Sequence, residues 1–208
     1  MLIGSAGLFF EGFSVSSVAL LDSAGDPDPA GVLPGVQSAG WEPEVETFDE
    51  FSNDILIGVW HDVRRVSFSV EAGFVSLGAW GRITGSPVEQ SSLPGEFGYM
   101  ATVPLYERGA SNGATIPVRV TIPAKDSEGV VHEALVTMFA VKFQPPRLSG
   151  ASYKSGLTVA YEGTVLLSDT DERGQALTRP AFGRLEALSL AAEYDAGIYD
   201  SEAFYDGK

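Results

Sequence analysis

At 208 residues the chain is long enough for one substantial core, and 44% hydrophobic content marks it as globular rather than wholly disordered. No run of about 18 apolar residues is present, which excludes a spanning helix. The lack of cysteine removes disulfides, thiolate metal sites and cysteine nucleophiles together.

The formal net charge of −15 is unevenly placed. Residues 1–62 hold eleven acids and no Lys or Arg, residues 63–190 balance twelve acids with twelve bases, and residues 191–208 set five acids against Lys208. No basic groove for phosphates can be assembled from this distribution, which argues against stable nucleic-acid binding. The opening MLIGSAGLFFEGF lacks a basic flank and an A-x-A site, so it does not read as a secretory signal.

In chain order, Leu8 to Asp22 reads as a first strand, with Phe13, Val15, Ala19 and Leu21 on one face. Ser23 to Gly40 carries three prolines among glycines and small residues, and reads as a long loop. Trp41 to Asp49 alternates, placing Glu42, Glu44 and Glu46 on one anionic face; Pro43 puts the strand at a sheet edge. Ile55 to His61 and Arg64 to Glu71 read as neighbouring antiparallel strands. Ala72 to Ile83 is the one helix candidate, packing through Phe74, Leu77 and Trp80 at three-residue spacing despite three glycines.

Phe97 to Glu107 and Thr115 to Ala124 read as a hairpin around Asn112-Gly113. The longest alternating arms follow, from Val130 to Phe143 and from Leu157 to Asp169, joined by a connection rich in Gly, Ser and Pro. In the first arm Ala134, Val136 and Met138 oppose Leu135, Thr137 and Phe139; in the second, Val159, Tyr161, Gly163 and Val165 share a face. Phe182 to Leu190 closes a sheet. Eight to ten strands with one short helix predict a mainly β protein, an antiparallel sandwich or closed barrel. Residues 1–190 form its single domain, and 191–208 an acidic C-terminal tail.

Chemistry is hard to find. Gly109-Ala-Ser111-Asn-Gly113 fits G-x-S-x-G, with Asp126 and His132 after it, but a nucleophile elbow needs a strand before and a helix after. Here a strand follows, and a hairpin turn explains the residues. Asp169-Thr-Asp171-Glu-Arg173-Gly174 echoes a calcium loop, yet Arg holds the fifth position and Pro180 the twelfth. His132-Glu133 lacks the second histidine of a zinc motif. No catalytic, cofactor-binding or metal residue is assigned, and a non-enzyme is expected. Trp60 and Trp80 read as core; Trp41 reads as core or as contact with another chain.

Three segments resemble the major tail (tail tube) proteins of long-tailed bacteriophages, particularly of actinobacterial hosts. RRVSFSVEAGFVSLGAWGRITGS is similar to the family's strand running into a short helix. MFAVKFQPPRLSGASYKSGLTVAYEGTVLLSD is similar to its long C-terminal hairpin, and FGRL stands where its last strand ends. The resemblance covers roughly residues 55–190. It implies a tail-tube-like β-sandwich flanked by a helix, with six copies closing into a ring and rings stacking into a genome conduit. The expected partners are copies of itself, tape measure and terminator proteins, and DNA that passes without specific binding; no membrane is involved. The expected place is the virion tail, after assembly in the host cytoplasm.

The same resemblance puts the 23–40 loop, through Asp26, Asp28, Val32, Leu33 and the adjoining Trp41, against the next ring. It turns Glu42, Glu44 and Glu46 toward the bore, where anionic walls repel phosphate. The acidic tail after Leu190 departs from the family pattern. Another β-rich virion component, such as a head decoration or distal tail protein, or a binding module, is the alternative.

Overall fold

The computed structural model describes residues 15, 17–52, 55–92, 99–105, 114–125, 131–149 and 158–189. Four strands precede the helix: β1 (Ser17–Leu21), β2 (Pro27–Leu33), β3 (Val36–Ser52) and β4 (Ile55–Ala72). Helix α1 (Leu77–Thr84) is followed by the short pair β5 (Glu89–Ser92) and β6 (Tyr99–Thr102). Then come β7 (Ile116–Lys125), β8 (Val131–Phe143), β9 (Arg147–Leu148) and β10 (Val159–Val165). The last are β11 (Ser168–Thr170), β12 (Ala176–Ala181) and β13 (Gly183–Ser189). The protein is mainly β and antiparallel, with one short helix among the described residues.

One nine-stranded sheet dominates, in the order β2-β1-β7-β8-β10-β4-β3, with β13 added to β8 and β9 to β10. Strand β8 is its axis. One flank of β8 pairs with β7; the other pairs with β13 through His132–Met138 and then with β10 through Val141–Phe143. The change of partner coincides with a one-residue slip, since Val118 faces Met138 but Ile116 faces Val141. Such a bulge reverses which parity of residue points inward. Met138 therefore faces the core together with Val141 and Phe143, although strict alternation places them on opposite faces.

Both wings of the sheet supply a single core: Val18 and Leu20 from β1, Val118 and Val120 from β7, Phe68 and Val70 from β4, Val159 and Tyr161 from β10. Phe68 and Phe143 meet edge to face at 6.1 Å between ring centroids, an arrangement favoured by the ring quadrupoles. Helix α1 closes one side with Ala79, Trp80 and Ile83.

Several expectations are corrected. The stretch 23–40 is not a loop: β2 occupies Pro27–Leu33 and β3 begins at Val36. Its prolines are tolerated because β2 is an edge strand, where a missing N–H leaves no ladder bond unmade. The two strands expected at Ile55–His61 and Arg64–Glu71 are one strand, β4, and the irregularity between them is a register shift opposite Glu44/Val45. The helix starts five residues late, because Ser76 caps it: its hydroxyl accepts from the Ala79 N–H at 3.3 Å. Phe74 thus lies outside the helix and is 65% exposed, beside Gly35. Among the described residues β6 pairs with β5 and not with β7, in place of the expected hairpin between 97–107 and 115–124. Residues 106–113, with Asn112-Gly113, and the tail 191–208 lie outside the described residues.

Candidate assembly surface

The catalytic alternatives find no support in the geometry. Ser111 and Asp126 lie outside the described residues, and His132 is buried within β8. The strand β7 begins at Ile116, so no elbow helix follows the Gly109–Gly113 motif. The calcium-like stretch is a hairpin turn: one Asp171 carboxylate oxygen accepts from the N–H groups of Arg173 at 2.9 Å and Gln175 at 2.8 Å. Among the described residues no group of three or more His, Asp or Glu could hold a metal ion, and no helix is long and apolar enough to cross a membrane.

That turn has a twin. Asp22 accepts in the same way from Ala24 at 2.8 Å and Asp26 at 3.0 Å, and these backbone bonds hold its carboxyl below the ordinary value of 3.8. The twin turns touch: the space where a Gly25 side chain would stand is taken by Glu172 and Arg173. Beneath them the fully buried Glu172 carboxylate binds Arg184, with Arg119 3.9 Å away. Arg119 in turn donates to the Gly25 carbonyl at 3.1 Å. One buried acid thus joins β7, β13 and both turns.

The distinctive surface lies at the opposite edge of the sheet. β3 and β4 are 17 and 18 residues long, about three times a common strand. Only their inner portions cover the core. From about Trp41 outward they continue as a two-stranded arm whose residues 41–50 and 59–65 are solvent-facing on both sides, apart from the half-buried Glu46.

Register assigns the arm's faces. Val45 opposite Val63, Thr47 opposite His61 and Asp49 opposite Val59 extend the face that carries Trp41 and Phe68 inside the body. The Thr47 hydroxyl and His61 Nδ1 are 3.0 Å apart across this face. The other face holds Glu42, Glu44, Glu46, Phe48, Glu50, Asp62 and Trp60, with Arg64 and Arg65. Here Arg65 binds Glu44, Arg64 approaches Glu46 at 2.7 Å, and the Trp60 indole donates to Glu50 at 3.2 Å.

The acids Glu42, Glu44 and Glu46 do share one face, as alternation predicts. Two of them are paired with arginines, so the face is a mixed-charge ladder rather than a uniformly anionic one. Trp60, expected in the core, is 64% exposed, and Phe48 beside it is 50% exposed. The sequence alone hides the ladder: an uninterrupted register from the Ser52–Ile55 pair would set Val63 beside Glu44, and only the two register shifts, at Glu50/Phe51 and Glu44/Val45, bring Arg65 there.

The residues expected to form one contact loop are dispersed. Asp26 sits in the β1–β2 turn, and Asp28 pairs with Arg82 of α1 at 2.7 Å. Val32 points outward from the edge strand β2, whereas Leu33 is a core residue, because Leu33 pairs with Val18 on the inward face. Trp41 is 40% exposed at the root of the arm. Of the helix trio, Trp80 is buried with its indole N–H donating to the Pro104 carbonyl at 3.3 Å, and Leu77 is half-buried.

Among the described residues the surface therefore offers an unpaired β3 edge and an arm studded with apolar side chains, and no constellation for bond making. Compared with known proteins, the chain matches no family model and no curated protein.

Proposed function

We propose that the chain is a non-enzymatic tail tube subunit of a long-tailed bacteriophage, whose copies close into hexameric rings and stack into the conduit for the genome. The observation that carries this reading is the arm. A two-stranded ribbon is marginal in water by itself, and a long, exposed, apolar edge invites a further strand. Val45, Phe48, Val59 and Trp60 are exposed on it, which suits cover by a neighbouring copy. Ring closure removes free edges, as symmetry with identical contacts does generally. In this reading tape measure and terminator proteins meet the tube's bore and end, DNA slides past without sticking, and the site of action is the virion.

Negative-stain microscopy and sedimentation of concentrated protein test it. Rings or tubes are expected, and Val45→Asp with Trp60→Ser is expected to abolish them while leaving the far-ultraviolet spectrum and unfolding midpoint unchanged. A wild-type protein that stays monomeric at every concentration overturns the reading. Compact trimers would instead favour a head decoration or distal tail component.

A further inference from the structure

A second apolar surface lies in the body of the molecule, between the wings. It is a groove of about 650 Å³ walled by Trp41, Ile122, Val136, Met138, Val165 and Phe182. Its size is that of a small-molecule pocket, which spans roughly 300–1,000 Å³, so no single neighbouring side chain closes it. Among its described walls Arg184 is the one charged side chain. Val15, the first described residue, also lines it.

We propose that this groove is the docking site for the chain's own residues 8–13, Leu-Phe-Phe-Glu-Gly-Phe. Two observations converge. First, the segment leads directly into Val15 at the groove wall, and Phe13 is only two residues, at most about 7 Å, from it. Second, Leu8, Phe9, Phe10 and Phe13 supply bulky apolar side chains that match the groove's apolar walls, and none of the fourteen residues before Val15 is Lys or Arg. Arg184, the one charged wall residue, is already paired with the buried Glu172 and with Glu186, so apolar contact carries the docking. A covalent tether this short gives the docking step a high effective concentration, which favours the same chain over a second copy.

The absence of cysteine makes a direct test possible in the full chain. Gly12→Cys combined with Leu185→Cys, at an exposed rim position, is compared with Gly12→Cys combined with Val88→Cys, on the wall of a separate depression beside α1. Under mild oxidation of dilute monomer, the first pair is expected to close an intramolecular disulfide roughly tenfold faster or more. A second measurement leaves the disulfide out: in a Trp60→Phe background, Phe10→Ser should move tryptophan emission to longer wavelength and raise acrylamide quenching as Trp41 is uncovered. Equal closure rates, covalent dimers only, or unchanged Trp41 emission would each overturn the proposal. Both measurements use monomer, so they stand or fall separately from tube formation.

Discussion

Among the described residues Glu172 is the one carboxylate in the interior, and it serves two arginines. Removing one member of a buried charge group leaves the others uncompensated, at a cost of about 3 kcal/mol. Glu172→Gln should therefore lower the unfolding free energy by that amount, seen as a lower urea midpoint with an unchanged slope. Asp22 acts differently, since it is exposed and its carboxyl is held low by the Asp26 and Ala24 N–H groups. A depressed carboxyl contributes stability above its unfolded value and loses that contribution as pH falls through the folded one. In acid titrations Asp22→Asn should thus be less pH-sensitive than wild type below 3.8, and above that value should be the weaker of the two. Identical titration curves would remove the role given to the turn.

At the scale of elements, α1 is held by an edge strand rather than by propensity. Ser76 caps the helix and donates to the Ala30 carbonyl at 3.1 Å; Ser76→Ala should cost about 1 kcal/mol or slightly more. Gly78→Ala is the sharper experiment, because two effects of known size oppose each other. Alanine gains about 1 kcal/mol of helix propensity. The added methyl, however, would lie 2.5 Å from the Ala30 carbonyl oxygen, and overpacking of that kind costs about 1–3 kcal/mol. A net loss of stability is expected in thermal melts; a gain would show that α1 can slide on β2.

These elements also show what was legible in the sequence. Alternation identified most long strands and the shared face of Val159, Tyr161, Gly163 and Val165, because period-two burial leaves a direct trace. It placed Glu42, Glu44 and Glu46 together for the same reason. Bulges leave no such trace: the slips at Met138–Val141 and at Glu44/Val45 hid one change of face and the continuity of β4. Prolines at 27, 29 and 34 suggested a loop because composition does not distinguish a loop from an edge strand. Trp60 looked internal because a side chain's type says nothing of whether its strand has left the body.

For the whole molecule, charge and shape act against each other. A net charge of −15 makes copies repel, while the arm and the unpaired edges draw them together. Salt screens the first effect, with a Debye length of about 10 Å at 0.1 M and about 3 Å at 1 M, and strengthens the second little. Light scattering should thus show association rising with ionic strength, the reverse of what attraction between opposite charges produces. The partner change on β8 has a further consequence for exchange with deuterated solvent. Residues 132–138 have strands on both flanks and should give up their amide protons last, whereas β3 has a neighbour on one side alone and should exchange first along the arm. Slow and fast amides would thus share one sheet, so a mass spectrometer could follow docking of any strand onto the arm as newly acquired protection along β3.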